Sequence, residues 1–180
     1  MPLVDPIFVH LSAGFIAFLW ISSSVPKLAA LSRHRLTVEG YGLLPSSLVP
    51  SFSVLQPALE LGLGLTVLFP VFRPSSAWIS VGLLTLYSLA IGINLARGRR
   101  DIDCGCSGPA MRQELTEGLV LRNLVLILLC GMAALPATSR TLGWIDFATF
   151  GMGILGMIFA YTAANLVLAQ APVSRMIRGH

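Results

Sequence analysis

The sequence predicts an all-α bundle that crosses a lipid bilayer five times as a single transmembrane domain, residues 1–180. Three observations predict it. Hydrophobic residues make up 55% of the chain and charged residues only 11%, with a mean hydropathy of +0.81; a typical soluble domain has about 25% charged residues. So short a chain cannot bury that much apolar side chain in water. Five apolar stretches are long enough for a hydrocarbon core, which takes roughly 20 residues of helix. Helix is the state that satisfies every backbone polar group inside each span. Finally, basic residues concentrate in alternate loops.

The stretches cover 7–25, 52–69, 76–96, 118–135 and 145–169. The first has no basic segment before it and is too long for the apolar part of a leader, so it reads as a retained span. Pro26, Pro50, Pro70, Pro74, Pro136 and Pro172 punctuate the ends, while Pro57 should kink or loosen the start of the second span. The first and third loops are long; the second and fourth are short.

With five crossings, the first loop, the third loop and the C-terminus share one side. That side holds Lys27, Arg33, Arg35, Arg97, Arg99, Arg100, Arg112, Arg122, Arg175 and Arg178; the other holds Arg73 and Arg140. The asymmetry makes the basic side cytoplasmic and the N-terminus periplasmic, in an inner-membrane protein. Trp78 and Trp144 fall at the opposite boundary, where amphipathic rings prefer to sit. The formal charge of +4 is therefore a topology signal and not a nucleic-acid-binding face.

The most informative segment is the third loop, where Cys104, Gly105 and Cys106 follow Arg99, Arg100, Asp101 and Asp103. Two thiols so spaced meet only if the backbone turns, and Gly105 permits conformations that a Cβ resists. The small ring that results should be strained and easily reduced, which suits an exposed site of thiol–disulfide exchange. Arg99, Arg100 and Arg112 would favour the attacking thiolate and Asp103 would oppose it. Inert cysteines and a metal site are the alternatives, although two ligands fall short of the four of structural zinc and His10, His34, His180 and Cys130 are scattered. No resident metal is expected.

Glu60 lies about two turns inside the second span, where an ionisable residue usually faces the bundle interior. Lys27, Asn94, Arg122 and Asn123 fall near the same membrane surface, so a polar cluster is expected beneath the cysteine loop. It would support the chemistry, bind a substrate, or lock helices through an ion pair of Glu60 with Arg122 or Lys27. The Gly151, Gly153, Gly156 pattern lies within a span and, like Gly62 and Gly64, should let helices approach closely. Cys130, roughly 18 Å along its helix from the basic end, reads as a small core hydrophobe.

The run from Tyr87 through Asn94, Arg97 and Gly98 to Asp103-Cys104-Gly105-Cys106 closely resembles the methylamine-utilisation MauE family, a branch of the DoxX-like membrane proteins. Lys27-Leu28, Tyr41-Gly42-Leu43-Leu44-Pro45, Glu60 and Arg122-Asn123 agree as well, and the likeness covers essentially the whole chain. Ser107 departs from the bulky residue usual after the second cysteine. The resemblance implies a four-helix DoxX-like core plus one helix. It implies a membrane accessory in maturation of the methylamine dehydrogenase beta subunit, by processing, transport or disulfide formation. It also implies a thioredoxin-like partner of the MauD type. Disulfide formation belongs in the periplasm, whereas the charge asymmetry puts Cys104 and Cys106 at the cytoplasmic face. A relay between the faces needs a second redox centre; Cys130 alone is a poor one and a membrane quinone could serve. A transport component and a passive scaffold are the other readings.

Overall fold

The computed structural model describes residues 4–105 and 113–178, with side chains to residue 170. Six helices follow in order: α1 (Pro6–Ala29), α2 (Leu31–Tyr41), α3 (Val49–Thr66), α4 (Arg73–Ala96), α5 (Glu117–Ala133) and α6 (Trp144–Arg178). Only isolated bridges, Val4 with Ala137 and Asp103 with Glu114, add β pairing among the described residues.

Local chemistry sets the ends. Asp5 caps α1, its Oδ1 accepting the Ile7 N–H at 3.0 Å, and Pro6 occupies the first turn, where its missing donor costs nothing. Pro50 and Pro74 sit likewise in the first turns of α3 and α4. Gly42, at φ +61°, ends α2 in the left-handed conformation. Pro26 and Pro172 do not end helices as expected. The Ala30 N–H reaches the Pro26 carbonyl at 3.1 Å, so α1 carries Lys27 on its own last turn. The backbone of α6 runs through Pro172 to Arg178, and α3 is likewise continuous through Pro57.

The core lies among α1, α3, α4 and α5. It is built from Phe15, Ile16, Leu19 and Trp20 of α1, Leu63 of α3, Leu83 and Leu84 of α4, and Leu126 and Cys130 of α5. The Trp20 indole donates to Ser80 Oγ at 2.8 Å and stands edge-on to the Tyr87 ring. Helix α6 rests on α1 and leaves Met152 and Phe159 about three-quarters exposed. Glycine packing is selective: a Cβ on Gly64 would come within 2.9 Å of Ile21, and one on Gly153 within 2.8 Å of Leu11. Gly62, Gly151 and Gly156 face open space instead of a neighbouring helix.

Three helical segments, Pro6–Ala29, Arg73–Ala96 and Trp144–Gln170, are long and apolar enough to cross a bilayer. Helix α3 has 18 residues but includes Gln56 and Glu60, and α5 has 17, which gives it a rise of only about 25 Å. Both nevertheless pack lengthwise in the same bundle and point large apolar side chains outward, Leu55 and Leu59 from α3 and Leu121 and Leu128 from α5. Such a surface is far more apolar than a water-soluble monomer tolerates.

Candidate functional site

Glu60 is fully buried, and five polar groups around it come from four helices. Lys27 Nζ lies 2.7 and 2.8 Å from its two oxygens. The Tyr87 hydroxyl donates at 2.6 Å, the Gln56 amide at 2.7 Å and the Ser23 hydroxyl at 3.2 Å. The second amide hydrogen of Gln56 faces Tyr87 Oη at 2.6 Å. With its NH₂ so committed, Gln56 presents Oε1 to His34 Nε2 at 2.8 Å, which assigns the proton of that pair to the imidazole. Burial, with the Lys27 cation nearby, pulls His34 below the usual imidazole range. Low dielectric makes each of these bonds strong and makes losing any one of them costly.

The cysteine loop is lashed to this bundle rather than loose in solvent. Arg99 donates to the Gly40 carbonyl at 2.9 Å and toward Tyr41 O and Asn94 Oδ1 at 3.4 Å, so a cation closes the C-terminal end of α2. Arg100 pairs with Glu117, which holds its pKa above the ordinary value. Asp103 Oδ1 accepts the Gly105 and Gln113 N–H groups at 3.1 and 3.3 Å, and the Cys104 N–H reaches the Gln113 carbonyl at 2.8 Å. Arg99, Arg100 and Asp103, three of the charged residues expected to bias a thiolate, are thus engaged in shaping the loop. Gly105 has φ +69°. Cys104 is buried, 7% exposed, among Ile91, Ile102, Leu115 and Leu119, which corrects the expectation of an exposed thiol. Cys106, Ser107 and Arg112 lie outside the described residues.

Cys104 and the Glu60 network meet at one cavity of about 450 Å³. Lys27, His34, Gln56 and Tyr87 form its polar end, Cys104 and Gly105 line it from the loop, and Tyr41, Phe52, Leu59 and Leu86 supply apolar wall.

The other expected cluster members lie elsewhere. Arg122 Nη1 donates to Asn165 Oδ1 of α6 at 2.7 Å and its Nη2 to Asn123 Oδ1 at 3.2 Å, while Asn94 is buried and bonds back to Ala90 O. The single cluster expected beneath the loop is therefore two groups, one on Glu60 and one on Arg122. Cys130 is fully buried in the core. Among the described residues no group of three His, Cys, Asp or Glu is placed to hold a metal.

Sequence reasoning passed over Gln56, Ser23 and Asn165, and left His34 among scattered histidines. The available signal was the spacing of Gln56 and Glu60, one turn apart on one face of α3. His34 gave none, because α2 was read as loop.

The family model described as methylamine utilisation protein MauE matches residues 5–136. Curated proteins named methylamine utilization protein MauE are similar along nearly the whole chain. That of Methylorubrum extorquens is 36% identical over 166 residues, 91% of this chain and 89% of its own length. That of Methylophilus methylotrophus is 32% identical over 169 residues, covering 91% and 87%. That of Paracoccus versutus is 28% identical over 181 residues, covering 98% and 97%. No solved structure matches the chain. A family match over more than half the chain, with relatives alike in length at 32–36% identity, makes the protein a member of the MauE family of methylamine utilisation proteins.

Proposed function

We propose that the protein is a membrane accessory in maturation of the methylamine dehydrogenase beta subunit, acting by thiol–disulfide exchange at Cys104 and Cys106 with a thioredoxin-like partner of the MauD type. The observation that carries this reading is the placement of Cys104. A turn with positive φ at Gly105, tied to α2 through Arg99, sets Cys104 on the wall of a cavity also lined by Lys27, Gln56 and Tyr87 of the buried charged network. In the exchange, the thiolate of one cysteine attacks the partner's disulfide and the second cysteine resolves the mixed disulfide, so the partner leaves reduced. The protein crosses the inner membrane five times in this reading. Helices α3 and α5 complete the bundle because their polar residues point inward and their outer faces are apolar. The basic excess puts the N-terminus in the periplasm.

The test is Cys104→Ser in a methylamine-grown host, with the beta subunit followed by immunoblot and dehydrogenase activity. Mature enzyme should be lost, and thiol trapping of the wild type should capture the pair in both states. A normal yield of active dehydrogenase from the variant removes the redox role. One observation favours a second reading, transport of a small molecule: the cavity has a charged end of its own. That reading requires Glu60→Gln to abolish function while Cys104→Ser is tolerated.

A further inference from the structure

The end of the bundle opposite the cysteine loop holds two arginines and two carboxylates, and they do not pair one to one. Of the eight acidic residues in the chain, Asp5 and Asp146 are the two that belong to this end. Arg140 takes both, at 3.0 and 2.9 Å. Arg73, the first residue of α4, is 9% exposed, and among the described residues no carboxylate pairs with it and no acceptor meets its buried Nε. A guanidinium out of water is costly unless an anion stands against it. Two neighbours deepen the need. Helix α4 begins without a side-chain cap, so its positive end falls on the same residue. His10 of α1, half-buried and within electrostatic reach of Arg73, adds an imidazole and no negative charge.

The surroundings select the anion. Hydrogen bonds fix the turn into α4: the Phe72 and Arg73 N–H groups donate to Phe69 O at 3.0 and 2.9 Å, and Ser76 Oγ donates to Thr66 Oγ1 at 2.8 Å. Its outward side chains are nevertheless apolar, with Phe69, Val71, Phe72 and, farther along α4, Trp78 all more than half exposed. Such a rim beside one sunken cation marks contact with a membrane or another apolar partner. Arg73–Ala96 is long and apolar enough to cross a bilayer, so its first residue falls at the headgroup level, where aromatic rings prefer to sit. The abundant anion at that level is phosphate, which a guanidinium binds through paired N–H bonds. We propose that Arg73 binds a phosphate oxyanion, and that this oxyanion is the phosphodiester of a membrane phospholipid whose chains lie along Phe69, Phe72 and Trp78. The site asks nothing of the cysteines or of the Glu60 network, and it stands if the exchange reading falls.

The experiment uses the full chain in a non-ionic maltoside detergent, stripped of phospholipid and phosphate. Melting is followed by tryptophan fluorescence, and bound lipid is counted by native mass spectrometry. The probes are dioctanoylphosphatidylglycerol, dioctanoylglycerol, which has the chains without the phosphate, and inorganic phosphate. The phospholipid should raise the melting temperature by about 5 °C at roughly a hundredfold excess over Kd, and the other two should not. Arg73→Met should bind it about tenfold more weakly or worse and retain one molecule fewer. Without lipid, that variant should melt no lower than wild type, because it removes a buried charge that lacks a counter-ion. Arg35→Gln, which changes an exposed cation at the other end, should keep the shift. In wild type, a phosphatidylglycerol with a headgroup diazirine should label residues 69–78, and dioctanoylphosphatidylglycerol, not dioctanoylglycerol, should suppress the label. Equal shifts in wild type and Arg73→Met, or label confined to the basic end, overturn the site. So does an Arg73→Met that melts well below wild type without lipid, since the guanidinium is then satisfied inside the fold. An equal shift from inorganic phosphate upholds the oxyanion but overturns its lipid source. No response to any probe overturns the phosphate and gives Arg73 to a carboxylate of a partner protein.

Discussion

Replacing Lys27 by methionine removes the cation from a carboxylate that has no access to water. The Lys27 side chain is 8% exposed and that of Glu60 is 0% exposed, with Nζ bridging both carboxylate oxygens. Breaking a buried pair from one side costs about 3–5 kcal/mol, because the other charge stays buried and uncompensated. Three neutral donors, from Tyr87, Gln56 and Ser23, still face Glu60 and moderate the loss. The expected destabilisation is therefore toward the lower end, about 3 kcal/mol. Removing both charges in Lys27→Met/Glu60→Gln keeps an acceptor for Tyr87 and takes away the orphan charge, so the double variant should regain more than half of that. Reversible unfolding in mixed micelles, followed by tryptophan fluorescence from buried Trp20, gives both numbers. A single variant within 1 kcal/mol of wild type, or a double variant no better than the single, would show that the carboxylate is not held as an ion and refute the reasoning.

The remaining expectations follow from individual contacts. Gly105→Ala puts a Cβ at φ +69° and within 2.9 Å of Thr37 Cγ2; the left-handed conformation alone costs about 1–2 kcal/mol, and alkylation of Cys104 in the folded protein should speed up as the loop lifts off α2. Gly64→Leu should prevent the folded bundle from accumulating, since even a Cβ would meet Ile21, Trp20 and the Ala17 carbonyl, whereas Gly62→Leu, facing open space, should be tolerated at wild-type membrane levels. Asp5, drawn below the usual carboxylate range by hydrogen bonds from Arg140 and from the Ile7 N–H, contributes stability that is present above the unfolded carboxylate range and lost as pH falls through its lower folded value. Melting curves of wild type and Asp5→Asn should accordingly differ at pH 6 and converge in strong acid; a constant gap would assign the effect to the helix cap instead.

The helices and the end at which Lys27 and Glu60 meet were legible because alternation of spans alone decides which ends coincide. The partner of Glu60 was not. Both faces of a membrane helix are apolar, one toward protein and one toward lipid, so the sequence pattern hardly encodes rotation about the axis. Rotation is what gives Lys27 to Glu60 and sends Arg122 to Asn165. The helical state of 31–41 was hidden by its polarity, although Arg35 and Glu39, 3.1 Å apart one turn along, and the left-handed Gly42 are ordinary helix signals. The burial of Cys104 was illegible for another reason. A loop rich in charge reads as solvated, yet Cys104 packs with Ile91 of α4, Leu119 of α5 and the loop's own Ile102 and Leu115. Arg99 and Arg100, which helped make the loop look like a thiolate-stabilising surface, are spent on the α2 carbonyls and on Glu117.

The choice between a structural ion pair and a working site is less sharp than it looked from the residues. One carboxylate gathers Ser23 and Lys27 of α1, Gln56 of its own helix and Tyr87 of α4, and through Gln56 it also holds His34 of α2. Those contacts fix the mutual rotation of three core helices and seat α2 against them, which is the work of a structural lock. The same Lys27, His34, Gln56 and Tyr87 line the cavity on whose wall Cys104 lies. Substitutions inside the network must therefore disturb fold and site together. Only residues that line the cavity without bonding to Glu60, such as Ala90 and Leu59, can separate the two.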